Sequence, residues 1–283
     1  KLHNTCFVCD RIENTFERYI DTIFYMYQND SEFKKIYENC KGFCTQHYGI
    51  LIDAGLSQRR ILKRLKEVNI QFCQIYGIVL THGHADHVRG ANSISKNIRT
   101  PFYATTQTFA LVSTGYRSQF DIEHAVQNCI EPFCPFEIGE FKITAFPLSH
   151  DVPNVGFKIE FRNKIFTIAT DLGEATEYLC KTISESDYLV LESNYDIDML
   201  EQGSYPFMLK QRIVSTKGHL SNAMAAELIA KYATPKLKRL FLCHLSAHNN
   251  TAQLAEEAVK PCIPANTILM VLPRLTPTLL MEL

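Results

Sequence analysis

Two periodicities divide the chain. Between residues 12 and 27 the apolar side chains Ile12, Phe16, Ile20, Ile23 and Phe24 recur every three or four residues, and Phe33, Ile36 and Tyr37 do so within 31–40. That spacing lines side chains along one face of a helix, so two short helices are expected, packed as a hairpin. From Gly49 onward short apolar runs alternate with amphipathic stretches. Strands are expected at 50–53, 75–81, 101–104, 141–148, 155–161, 164–170, 188–192 and 237–244. Helices are expected at 58–68, 87–95, 122–128, 175–183, 196–202, 223–232 and 252–259. Arg162-Asn163-Lys164 reads as a hairpin turn, because Asn tolerates the backbone such a turn needs. Ser221 or Asn222, and Asn250 or Thr251, offer caps for two helices. Interleaved strands and helices without repeats fit an α/β fold, an αββα sandwich with helices on the outer faces of mixed sheets. Residues 1–48 form a Cys-rich helical segment and 49–283 the main domain.

Composition narrows this picture. Of 283 residues, 46% are hydrophobic and 21% charged, the balance of an ordinary globular protein. No apolar run approaches the roughly 20 residues that span a bilayer, and no basic-then-apolar signal segment opens the chain. Cytoplasm is the expected compartment, with no membrane partner. A formal net charge of −1 excludes a globally basic nucleic-acid binder, so any such contact comes from a local patch. Six of the ten cysteines (Cys73, Cys129, Cys134, Cys180, Cys243, Cys262) are scattered and read as reduced thiols, while four crowd into the first 44 residues.

The strongest chemistry follows the apolar run Ile78-Val79-Leu80: Thr81-His82-Gly83-His84-Ala85-Asp86-His87. A strand end, a short turn and a helix start gather three imidazoles and a carboxylate, borderline ligands that zinc or manganese takes. This His-x-His-x-Asp-His element resembles the signature of the metallo-β-lactamase superfamily. The superfamily adds a His, an Asp and a last His at strand ends, and the sequence offers His150, Asp171 and His244 in that order. The resemblance implies His82, His84 and His150 on one divalent ion, Asp86, His87 and His244 on a second, and Asp171 between them. It implies zinc or manganese as the cofactor pair, and a hydrolytic reaction in which Asp86 assists the nucleophile.

Further stretches narrow the resemblance. Leu51-Ile52-Asp53-Ala54-Gly55, Leu191-Glu192-Ser193-Asn194-Tyr195-Asp196, Tyr205-Pro206-Phe207-Met208-Leu209-Lys210-Gln211-Arg212-Ile213, Lys217-Gly218-His219-Leu220-Ser221-Asn222 and His244-Leu245-Ser246-Ala247-His248-Asn249-Asn250 together resemble the YycJ branch, also called VicX or WalJ, over about residues 49–283. That resemblance implies a DNA 5′→3′ exonuclease linked to DNA repair. In chemical terms Lys210, Arg212, Lys217 and His219, with Asn222 beyond them, gather donors as a phosphate-binding strip would; a solvated basic face is the other reading. His219 is expected to serve as a phosphate contact or proton donor rather than a ligand. The run from Arg59 to Arg64 reads as the solvent face of a helix. Two departures stand out: Tyr195 occupies a position where the branch usually has His, and the Cys-rich segment adjoins Gly49 where the branch has an opening strand and a Gly/Ser-rich turn.

The Cys-rich segment has its own motif. Cys6-x-x-Cys9 and Cys44-x-x-His47, with Cys40 beside them, fit one tetrahedral zinc on Cys6, Cys9, Cys44 and His47; reduced thiols in a small core are the alternative. The Gly42-Phe43-Cys44-x-x-His47-Tyr48 ending resembles an uncharacterised bacterial Cys/His domain. For the whole chain, a phosphodiesterase acting on DNA is the first expectation. A thioester or small-ester hydrolase on the same ligands is the second, and a non-enzymatic zinc-binding module the third.

Overall fold

The computed structural model describes residues 49–68, 70, 72–97, 100–113, 122, 125–274, 276 and 278. The helices expected at 12–27 and 31–40 lie outside the described residues. Two sheets face each other. The smaller holds β1 (Gly49–Ile52), β2 (Ile75–Val79), β3 (Phe102–Ala104) and β4 (Gln127–Cys129), all parallel and in that spatial order. The larger holds β5 (Phe136–Ile138), β6 (Phe141–Leu148), β7 (Asn154–Phe161), β8 (Lys164–Ala169), β9 (Tyr188–Glu192), β10 (Arg239–Cys243) and β11 (Ile268–Val271), in the order β11-β10-β9-β8-β7-β6-β5. Its β8–β11 half is parallel and its β5–β8 half antiparallel.

Strand alternation explains the layers, since neighbouring side chains of a strand point to opposite faces. On β6, Ile143 and Ala145 join Val79, Val155, Phe157 and Ile168 between the sheets, while Phe146 and Leu148 point the other way. There they meet α5 (Glu177–Glu185), α8 (Asn222–Tyr232) and α9 (Ala252–Val259) through Leu179, Ile183, Ile229 and Val259. The outer face of the small sheet is covered by α1 (Gln58–Glu67), α2 (Ala85–Val88), α3 (Ala91–Asn97) and α4 (Thr106–Ser113). Ile61, Val88, Ile94 and Phe109 supply that contact. Two further helices, α6 (Ile197–Gln202) and α7 (Phe207–Val214), follow β9. The four layers are helix, sheet, sheet, helix, as the sequence pattern implies. Phe102, Phe146 and Phe157 are fully buried, and each contributes about 1.5–3 kcal/mol.

Several local expectations hold in detail. Arg162 and Asn163 take φ of 45° and 61°, the left-handed pair of a tight hairpin. Ser221 and Thr251 cap α8 and α9 by accepting the amides of Met224 and Leu254. Others do not. The stretch expected to be helical at 122–128 instead ends in strand β4, and β5, β11, α4 and α7 are additional. The helix expected at 87–95 is split into α2 and α3. The break is at Gly90, which donates its amide to Ala54 O at 2.7 Å; a Cβ there would lie 2.1 Å from Leu56 O. Among the described residues no helix is long and apolar enough to cross a membrane.

Candidate metal centre

Strand termini build the site. Just after β1, β6, β8 and β10 come Asp53, the Ser149-His150-Asp151 turn, Asp171 and His244; β9 ends on Glu192, His82 and His84 lie between β2 and α2, and Asp86 and His87 lie within α2. Of the six non-glycine residues with positive φ among the described residues, Asp53, Asp171 and His244 are three, at 58°, 59° and 57°. Non-glycine residues persist in this region only where the surroundings enforce it, and such positions cluster at functional sites. Gly55 admits this crowding: a Cβ there would sit 1.5 Å from Asp86 O.

The inward-facing atoms form two adjoining groups. His84 Nδ1 lies 2.9 Å from His82 Nε2 and 3.3 Å from His150 Nε2. Asp86 Oδ2 lies 3.8 Å from His87 Nε2 and 3.9 Å from His244 Nε2. Asp171 reaches both groups, at 3.3 Å from His87 Nε2, 3.4 Å from His244 Nε2 and 4.0 Å from His150 Nε2. Zinc held tetrahedrally at about 2.0–2.1 Å separates its ligand atoms by about 3.3 Å, so this spacing fits divalent ions. A second observation agrees. Asp171 is 2% exposed, and its Oδ2 has no hydrogen-bond partner, an arrangement a cation would satisfy.

The outer nitrogens are held as well. His82 Nδ1 lies 2.9 Å from Thr81 Oγ1, whose hydroxyl donates to Asp53 Oδ2 at 2.8 Å. His87 Nδ1 lies 2.6 Å from the same Asp53 oxygen. His150 Nδ1 faces Gly218 O at 3.2 Å, and His244 Nδ1 faces Glu192 Oε1 at 2.9 Å. Asp151 Oδ1 is 3.3 Å from His84 Nε2 and equally far from His150 Nε2. An acceptor behind a ring fixes its tautomer and aims the other nitrogen, the usual support of metal-ligating imidazoles. Asp53, Asp151 and Glu192 are therefore candidate supporting residues that motif reading alone did not single out.

Electrostatics follow from this packing. Burial, reinforced by the neighbouring rings His87, His84 and His150, depresses His82 far below the ordinary histidine range. Burial also opposes charge on His87, but Asp53, helped by Asp171 and Asp86, outweighs it and pushes that ring up to about 9. His244 is raised against the effect of its burial by Asp171, Asp86 and Glu192. His244 in turn holds Asp86 below the usual carboxylate range. An ion bound by His87 and His244 would displace their protons, so affinity should climb as pH rises from 6.5 towards about 9. For the metal-free fold the sign is opposite: the raised value of His87 contributes stability below 6.5 that is lost as pH passes about 9. Calorimetric titration with Zn²⁺ in buffers of different ionisation enthalpy should reveal proton release near pH 7. Affinity that is flat across the range would contradict these charge states.

Other expected residues separate into two sets. His219 joins the cluster: its ring centroid lies 5.5 Å from that of His150 and 5.4 Å from that of His244, with Nδ1 2.7 Å from Glu192 Oε1. Arg212 reaches the rim by pairing with Asp151. Lys210, on the same helix, donates to Glu201 O at 2.7 Å, and Lys217 is exposed. Asn222 does not present itself to a substrate. It is 3% exposed, exchanges amide hydrogen bonds with Asn250 at 2.8 and 2.9 Å, and accepts from Ser193 at 2.6 Å. The Ser-Asn and Asn-Asn motifs thus clasp β9, α8 and the loop after β10, setting His219 and His244. Tyr195 is buried in this clasp, where its carbonyl accepts the Asn222 amide at 2.8 Å. The zinc set Cys6, Cys9, Cys44 and His47 lies outside the described residues.

Comparison with known proteins adds lineage. The Beta-lactamase superfamily domain matches residues 48–245, and a family of unknown function, DUF6062, matches residues 1–76. Exodeoxyribonuclease WalJ of Streptococcus pneumoniae serotype 2 is 32% identical over 208 residues, covering 73% of this chain and 77% of the relative. Exodeoxyribonuclease YycJ of Bacillus anthracis is 30% identical over 223 residues, covering 76% and 81%. Among solved structures, the metallo-beta-lactamase fold protein YhfI from Bacillus subtilis superposes with a TM-score of 0.59 at 18% identity, covering 79% of this chain and 83% of that one. Zn²⁺-bound PqqB from Methylobacterium extorquens gives 0.58 at 18% identity, covering 77% and 79%.

Proposed function

The chain belongs to the beta-lactamase superfamily, in its WalJ/YycJ branch, and from that premise we propose that it is a metal-dependent exodeoxyribonuclease digesting DNA from the 5′ end. The observation that carries the proposal is the seven-residue cluster whose five imidazoles each have their outer nitrogen held. His82, His84 and His150 would hold one divalent ion and Asp86, His87 and His244 another, with Asp171 shared. Zinc and manganese both suit this donor set. Ions so held supply Lewis acidity and neutralise charge on an attacked phosphodiester. His219 is raised above its ordinary value, burial notwithstanding, by Glu192 and then Asp171. With Nδ1 on Glu192, it would hold a proton at Nε2 for the departing oxygen. Arg212 would take a backbone phosphate.

The test is DNA labelled at its 5′ or 3′ end, single- and double-stranded, with and without chelator, beside a thioester substrate. Chelator-sensitive release of nucleotides from the 5′ end is expected. Robust thioester hydrolysis by protein inert on every DNA form would overturn the reading. Elemental analysis should find two ions in the cluster, and a third if the amino-terminal segment forms a separate zinc unit; Cys6→Ser/Cys44→Ser protein then loses one. The net charge of −1 calls for few phosphate contacts. Lys210→Ala/Arg212→Ala should weaken single-strand binding and flatten its log–log salt dependence by about 0.7 for each phosphate left without its cation. An unchanged slope would remove both cations from the grip.

A further inference from the structure

Helix α7 is unusual in its packing. None of its side chains is buried. Phe207 and Met208 at its start are 71% and 77% exposed, the most exposed large apolar side chains among the described residues. A helix ordinarily turns an apolar stripe inward, and adjacent large apolar groups left in water mark a contact surface. This helix is not remote from the metal centre. Arg212, on the same face as Met208 one turn earlier, pairs with Asp151 behind His84. Its last turn presses against Gly218, where a Cβ would lie 2.1 Å from Ile213 O, and the Gly218 carbonyl holds His150. An apolar step and a guanidinium lie along one short helix that abuts the cluster through Asp151 and Gly218.

The occupant must therefore combine an anion at Arg212 with an apolar surface about one turn away. An unpaired nucleotide strand has both, a backbone phosphate and a base face. Within a duplex the base faces are stacked on each other, and only the outer face of a terminal pair is open to a protein side chain. A second copy of the chain would cover Phe207 and Met208, but it gives no reason for a guanidinium held by the carboxylate behind a metal-ligand ring. We infer that α7 is a single-strand platform: Arg212, positioned by Asp151, takes a backbone phosphate, and Phe207 with Met208 takes the unpaired base beside it. This rests on the nuclease reading and specifies its substrate as an unpaired end.

The test is binding, read by fluorescence anisotropy on the metal-loaded full chain with cleavage-resistant phosphorothioate strands. Two 5′-phosphorylated oligothymidylates are compared, one with bases throughout and one abasic at its first three positions. Stacking of a single base predicts a preference of about tenfold or more for the base-bearing strand. Phe207→Ala/Met208→Ala, which removes no buried side chain, should reduce that preference towards one, and Phe207→Tyr should retain it. A preference that persists in the double variant overturns the platform. So does a dimer of the wild type, seen by sedimentation, that the double variant dissolves. Wild-type protein that degrades DNA without any base preference overturns the platform and leaves the nuclease reading standing. Wild-type protein that degrades no DNA at all overturns the reading beneath it.

Discussion

Asp171→Asn protein should hydrolyse phosphodiesters at about one-thousandth of the wild-type rate or less, a loss of about 4 kcal/mol in transition-state stabilisation. Asp171 is the carboxylate that reaches both halves of the cluster, within 4.0 Å of Nε2 on His87, His150 and His244. Its unpartnered oxygen is where a cation is most needed. Asn is the right replacement because φ is 59° there, a backbone that Asn tolerates and that would strain Ala. Ion content should fall together with the rate while the circular dichroism spectrum stays that of the wild type. A folded variant with normal ion content and normal turnover would place the chemistry elsewhere.

The second large effect is expected at Glu192. Its carboxylate is fully buried and accepts from His219 Nδ1, His244 Nδ1 and the amides of Leu172 and Leu220. Burial alone would raise it; the two rings bring it down to about 2 from an ordinary 4.5. Glu192→Gln keeps the shape and removes the charge, so His244 loses the partner that aims it. Metal affinity should fall by about 10–100-fold. In chelated protein the depressed carboxylate contributes stability that is present above 4.5 and lost as pH falls through about 2. The variant should therefore be less stable at pH 7 by on the order of a few kcal/mol, with the gap closing towards pH 2. Urea denaturation at several pH values measures it. Equal stability at pH 7 together with equal zinc affinity would show that Glu192 is replaceable.

The residues of the candidate cluster were legible because their chemistry is local. His82, His84, Asp86 and His87 are contiguous, and His150, Asp171 and His244 each follow an apolar run that must be a strand. The supporting carboxylates were not. Asp53, Asp151 and Glu192 all lie inside stretches with a recognisable pattern, but an acceptor is defined by what stands in front of it. Those partners are 34, 67 and 52 positions away for His87, His84 and His244. In the fold, β4 escaped because Gln127-Asn128-Cys129 is polar and half-exposed, with neither alternation nor β-branching to mark it. Helix α7 escaped because its apolar residues crowd its two ends, Phe207-Met208-Leu209 and Ile213-Val214, in a span too short to set a helical period.

Four of the five rings in the candidate cluster lean on side chains, those of Thr81, Asp53, Asp151 and Glu192, whereas His150 leans on the main-chain carbonyl of Gly218. A side-chain support is erased by one codon change. A carbonyl cannot be erased, only moved. In a mutational scan Ser215, Thr216 and Lys217 should tolerate exchange of their side chains, while inserting or deleting one residue among them swings the carbonyl away and lets the ring turn. Drift at this corner is thus constrained in spacing more than in spelling, and diverging copies should keep the loop's length after its letters have changed.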